Sequence, residues 1–153
     1  MEIIYFGSLK TDYIKKGIER FEKWLKPYTK LKFKNLPSGG DIHRNSREKI
    51  LLKEAKTLFS HIDEDSYLVV MSEHAKGMNS EKFSKLIEES EVYSRKLCFI
   101  IGGYLGFDDS VYKRANMKLS LSDMTFTHEM AILLLTEQIY RGYKIMRGEK
   151  YHY

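Results

Sequence analysis

Two uninterrupted apolar pentads, Tyr67-Leu68-Val69-Val70-Met71 and Leu97-Cys98-Phe99-Ile100-Ile101, constrain this chain more than any other feature. A strand with one wet face alternates apolar and polar side chains, whereas an unbroken apolar strand is covered on both faces. Between them, Ser80 to Glu91 places Phe83, Leu86 and Ile87 at helical spacing. Buried strand, helix and buried strand in succession predict an α/β sandwich, with a mainly parallel sheet and helices on both faces.

The flanking segments extend this pattern. Glu2 to Phe6 reads as a strand ending at Gly7, and Thr11 is placed to cap a helix running to Leu25 with Ile14, Ile18, Phe21 and Leu25 on one face. Leu31, Phe33 and Asn35 alternate with lysines, the period of an edge or half-exposed strand. A helix follows from Ser46 to Phe59, with Ile50, Leu51, Ala55, Leu58 and Phe59 inward. Beyond the second pentad come a short helix from Ser110 to Ala115, a short strand Leu119-Ser120-Leu121, and a long helix from Thr127 to Tyr143. No repeat or linker divides the chain, so residues 1–153 read as one domain.

Met130 to Leu135 sets apolar side chains all round the last helix, which predicts burial on every side. Terminal helices usually pack on the outside of a domain, so the pattern points to a second copy covering one face, in a homodimer. A central helix of a monomer is the alternative.

Composition excludes several classes. No apolar run approaches the roughly 20 residues of a membrane helix, and no basic segment precedes the first apolar stretch as in a secretory signal. Cys98 stands alone, which excludes an internal disulfide framework and a cysteine zinc cage and suits a reducing, cytoplasmic setting. The five histidines form no metal-ligand spacing, so no metal is expected. The net charge of +5 is uneven: residues 10–56 carry 14 Lys/Arg against 6 Asp/Glu, residues 57–140 carry 8 against 13, and residues 141–153 carry 4 against 1. A polyanion such as nucleic acid suits the basic segments, although solvated lysines would give the same count.

Chemistry in such a sheet belongs at the carboxyl ends of the strands. Three exits qualify: Met71-Ser72-Glu73, Ile101-Gly102-Gly103, and Leu121-Ser122-Asp123-Met124-Thr125-Phe126. Gly102-Gly103-Tyr104-Leu105-Gly106 lacks the spacing of a dinucleotide fingerprint, but its glycines allow a ligand to approach the backbone. The third exit mixes small polar groups with Met and Phe, which suits an adenine-like ring, and none of the exits resembles a phosphate clamp. The segment Tyr140 to Tyr153 interleaves four tyrosines with Arg141, Lys144, Arg147 and Lys150, a composition that stacks on bases and holds phosphates.

Ile101-Gly102-Gly103, then Leu119 through His128, then Glu137-Gln138-Ile139-Tyr140-Arg141 and the terminal Tyr151-His152-Tyr153, together resemble the ribosomal RNA large subunit methyltransferase H family of the SPOUT superfamily. The resemblance spans essentially the whole chain. It implies a homodimeric enzyme with a C-terminal trefoil knot, a feature no pattern argument would propose. It implies that the enzyme uses S-adenosyl-L-methionine to methylate N3 of a pseudouridine in a stem-loop of 23S ribosomal RNA, within the assembled ribosome. By the same resemblance the cofactor meets Met71, Gly102, Leu121, Ser122, Asp123, Met124, Thr125 and Phe126. Family members often carry Pro or Ser in place of Tyr104 and Pro in place of Thr127. The reaction must remove the N3 proton. His152 is a candidate base, Arg141 a candidate partner for the developing anion, and the carboxylate of Tyr153 another acceptor. A non-catalytic RNA- or ribosome-binding module is the competing class.

Overall fold

The computed structural model of the protein describes residues 1–150. Ten elements follow one another: β1 (Glu2–Phe6), α1 (Asp12–Leu25), β2 (Lys32–Leu36), α2 (Arg47–Phe59), β3 (Tyr67–Met71), α3 (Ser80–Val92), β4 (Leu97–Ile101), α4 (Asp109–Arg114), β5 (Met117–Leu119) and α5 (His128–Met146). The five strands form one sheet in the order β2-β1-β4-β3-β5, and every pairing is parallel. Both pentads are strands, and β4 takes the centre.

Period-two alternation then divides the core. Phe99 and Ile101 of β4 face a layer made by α1, α3 and α5, while Cys98 and Ile100 face α2 and α4. All five residues of β4 are buried. Burial pushes the Cys98 thiol up to about 12, so it stays protonated and is no nucleophile. β2 is an edge strand, as its alternation predicts. Lys32 and Lys34 reach Glu2 on β1 at 3.8 Å, partly exposed contacts of little energetic weight.

Helix α5 departs most from expectation. Although it ends the described chain, it lies over the central strand between α1 and α3. Close approach on both flanks depends on small residues. A Cβ on Gly17 of α1 would stand 2.8 Å from Leu133 Cδ1, and one on Gly142 of α5 would stand 2.7 Å from Ile87 Cδ1. Ser84 of α3 donates to the Gly142 carbonyl at 2.8 Å. Much of the apolar circumference is therefore satisfied within one protomer. Leu134, Arg141 and Ile145 remain half-buried.

Other expectations need correction. The last strand is Met117–Leu119, because Ser120 already leaves the ladder to bridge Gly77. Phe59, expected inward, is exposed at the last turn of α2. Tyr140 and Tyr143, counted above with a nucleic-acid tail, lie on α5. Tyr143 is fully buried, donates to Glu91 at 2.5 Å and stacks on Tyr28, while Tyr140 joins Phe21, Trp24 and Tyr28 in an aromatic cluster.

Thr11 occupies the N-cap position of α1, but its side chain accepts no capping bond from that helix. Glu129 in the first turn of α5 instead ties down the segment leading into α1, accepting the amides of Lys10 and Thr11 at 3.1 and 3.0 Å. The Lys10 amide, followed by Thr11, holds the Glu129 carboxyl below its ordinary value of 4.5. A carboxylate depressed on folding adds stability that is complete above its unfolded pKa and is lost as pH falls through the folded value. Glu129→Gln should therefore cost about 1 kcal/mol at pH 7, the usual net worth of a hydrogen bond. Urea denaturation should show the gap between wild type and variant closing as pH falls below 4.5. A gap that stays constant through the acid limb would refute the linkage.

Candidate functional site

In a parallel sheet all strands end on the same side, so the exits of β3, β4 and β5 emerge together. They enclose a cavity of about 710 Å³, with the start of α5 as a further wall. Met71, Gly102, Leu121, Ser122, Met124, Thr125 and Phe126 line it, and Asp123 is not among the lining residues.

Each loop has a local reason for its shape. After β4, Gly106 adopts φ +79°, which L side chains rarely accept, and bridges back to Gly103 through its amide at 3.1 Å. Gly102 serves packing: a Cβ there would lie 3.0 Å from Phe107 Cζ and 3.1 Å from the Gly106 carbonyl oxygen. Gly103 has nothing within 4 Å of that position, so it is the glycine whose hydrogen leaves open space. Asp108 then caps α4, accepting the Ser110 amide at 2.9 Å; the hydrogen bonds from Ser110 hold its carboxyl below the ordinary range.

The loop after β5 is pinned to the β3 exit. Ser72 N donates to Leu119 O at 2.9 Å, and Ser120 N to Lys76 O at 3.3 Å. Within it, Ser120 Oγ donates to Ser122 O at 2.7 Å and Met124 N to Ser122 Oγ at 3.0 Å. Met124 and Phe126 are held out at the mouth, 75% and 43% exposed. Thr127 ends the loop as the N-cap of α5, accepting Met130 N at 3.3 Å. A proline at this position would lack that acceptor.

The cavity takes in residues that the sequence did not mark as site residues, Arg47 and His128 among them. Arg47, first residue of α2, sends Nη2 to the Leu105 carbonyl at 3.1 Å and so reaches the loop after β4. No local signal announces a contact across 58 positions. His128 lines the wall beside Gly7, and its Nε2 is buried without a hydrogen-bond partner. A buried polar atom left unpaired is costly, and this one faces Gly7, which does not line the cavity. Here the histidine in the motif was the available signal.

Arg141, one of the two expected catalytic residues, is not brought to this cavity within one protomer. Arg141 lies 13 positions beyond His128 on α5, about 20 Å away at 1.5 Å per residue. Its Nη2 pairs with Glu137 at 2.7 Å. Past the helix, Glu149 accepts from Tyr28 at 2.9 Å and pairs with Lys144, at the strands' amino ends. His152 lies outside the described residues. Among the described residues no three His, Cys, Asp or Glu side chains gather as a metal site, and no helix is long and apolar enough to cross a membrane.

Gly102 and Gly103 separate packing from ligand approach. Gly103→Val should lower affinity for adenosylmethionine at least tenfold, with stability unchanged within about 0.5 kcal/mol. Gly102→Val should unfold at lower denaturant, because Phe107 must move. Calorimetric titration and urea melts check both, and full affinity in Gly103→Val would remove that glycine from the site.

The comparisons agree with this geometry. A family model described as "Predicted SPOUT methyltransferase" matches residues 1–152. The protein of Kosmotoga olearia named ribosomal RNA large subunit methyltransferase H is 42% identical, with 100% of this chain and 99% of that protein covered. Proteins of the same name from Clostridioides difficile and Shouchella clausii are each 40% identical, covering 99% and 98% of this chain and 98% and 97% of theirs. With likeness along its whole length and a cavity formed by the three strand-end loops, the chain belongs to the SPOUT methyltransferases, in the ribosomal RNA large subunit methyltransferase H family.

Proposed function

We propose that the protein, as one domain over residues 1–153, uses S-adenosyl-L-methionine to methylate N3 of a pseudouridine in a stem-loop of 23S ribosomal RNA. It acts in the cytoplasm, on the assembled ribosome, as a homodimer. The observation that carries this reading is the convergence of three strand-end loops on one cavity in a chain of this family. The C-terminal trefoil knot belongs to the same reading. Its supporting feature is the crossing of residues 120–127 from the edge strand back to the centre of the sheet.

The cavity fits the cofactor. Its volume falls within the roughly 300–1,000 Å³ of small-molecule sites. Met71, Ile101, Leu121 and Phe126 offer apolar surface to a purine, and Ser122 and Thr125 offer hydroxyls. Asp123 is kept as a loop contact on resemblance alone. Bound there, adenosylmethionine supplies a sulfonium methyl group that is already electrophilic.

The chain's residues have the remaining tasks. They must hold N3 in line with that methyl, a positioning effect worth up to about 7–11 kcal/mol. They must also accept the N3 proton. His152 takes this role, because an ordinary imidazole titrates near pH 6.5 and is largely neutral at pH 7. The terminal carboxylate of Tyr153 is the second acceptor. Arg141, oriented by Glu137, stabilises the anion left on the base.

What supports the dimer is distance. The chain reaches residue 150 at the pole opposite its own cavity, so its tail serves the cavity of a second copy packed on the outer face of α5. Leu134→Glu, on that face, should give monomers in sedimentation, and a wild type monomeric at micromolar concentration would refute the dimer.

Ribosomes from cells lacking the protein, incubated with it and adenosylmethionine, should gain one methyl on a pseudouridine by mass spectrometry. Deleting residues 151–153 should leave cofactor affinity within twofold and reduce the rate about 100-fold or more, the scale of general-base loss. Full activity after deletion would remove the tail from catalysis. A wild type that binds ribosomes but neither binds cofactor nor transfers methyl would be the non-catalytic module.

A further inference from the structure

The cavity accounts for a nucleoside and a methyl donor but not for the grip on a large RNA. Among the helices, α2 carries the clearest charge bias. Arg47, Lys49, Lys53 and Lys56 are exposed along it, while Glu48 is its one exposed acid; Glu54 is buried, accepting the Gly39 amide at 2.9 Å. Arg44 lies exposed in the turn before it. By contrast, α3 exposes Lys82 and Lys85 among Glu81, Glu88, Glu89 and Glu91, and α1 mixes both signs.

Lys49, Lys53 and Lys56 follow at intervals of four and three residues, which puts them on one helix face about 6 and 4.5 Å apart along the axis. None of the three, nor Arg44, makes an ion pair among the described residues, whereas Lys15, Lys32, Lys34, Lys96, Arg141 and Lys144 all do. Exposed Leu52 lies within the same stripe and exposed Phe59 at its far end, apolar surface that lies against sugars or bases. The helix that carries the stripe starts at the cavity: Arg47, on the opposite side of α2 from the lysines, stands on the Leu105 carbonyl there.

We infer that the outer face of α2, formed by Lys49, Lys53 and Lys56 with Arg44 in the turn before it, is the track that holds the phosphate backbone of the RNA entering the cavity. This rests on the proposed function and adds where the substrate lies. Two things favour RNA over a protein partner: the stripe itself carries one sign of charge, and the helix that bears it starts at the cavity, where Arg47 reaches the Leu105 carbonyl. Backbone contacts of this kind position a nucleic acid without reading its sequence, and their loss reduces the salt dependence of binding.

The test is the variant Lys49→Gln/Lys53→Gln/Lys56→Gln, with Lys82→Gln/Lys85→Gln on α3 as control. All five side chains are exposed, so both variants should melt with the wild type. For the α2 variant, adenosylmethionine affinity and the rate at saturating ribosome should be unchanged, and KM for ribosomes should rise at least tenfold. The slope of log affinity against log salt, for ribosomes and for an rRNA stem-loop fragment, should fall by about 2–3 for three phosphate contacts. The control should match wild type. Unchanged KM and slope would overturn the track and leave the methyltransferase reading standing. A raised KM with an unchanged slope would mean a protein contact and also overturn it. A wild type without methyl transfer would instead overturn the proposed function, while the binding slopes would still decide the track.

Discussion

The burial of β4 is the constraint on which the rest depends. Paired on both edges and covered on both faces, this strand is buried throughout and carries only apolar side chains. Phe99 stands in register with Ile3 and Val69, and Ile100 with Ile4 and Val70, so one row of side chains serves each helix layer. Each such side chain contributes on the order of 1.5–3 kcal/mol on burial. Because every pairing is parallel, the same arrangement gathers the strand exits on one side, and a site follows from the sheet.

Helix α5 links that core to the site. Its middle fills the space over β4, with Gly17 and Gly142 permitting close approach on either flank. Its first turn supplies Glu129 to α1 and His128 to the cavity wall. Its last turn carries the chain to the opposite pole, where Lys144, Glu149 and Tyr28 hold it. One helix thus borders the cavity at its start and carries the described chain to the opposite end of the sheet.

The strands and helices were largely legible, because alternation and helical spacing are local properties. The errors arise where a distant partner decides. Thr11 looked like a side-chain cap, but its side chain makes no capping bond and Glu129 from α5 holds its amide. Tyr143 looked like part of a basic tail, but Glu91 and Tyr28 draw it into the core. Gly102 lines the cavity, but Phe107 packs against it, and Gly103 next to it is the more open position. Of the expected cofactor contacts all but Asp123 line the cavity, because the parallel topology gathers their loops at one end of the sheet.

The sequence by itself determined which segments are buried strands, where chemistry-bearing loops leave them, and the family to which those motifs belong. Apolar burial and backbone periodicity act over a few residues, so they can be read in one dimension. Tertiary structure alone decided that a terminal helix lies at the centre. It also brought Arg47 to the loop after β4, left His128 Nε2 unpaired beside Gly7, and separated Arg141 from its own cavity by most of the length of α5. Those outcomes depend on the strand order β2-β1-β4-β3-β5, which sets non-local neighbours that no short window of sequence contains.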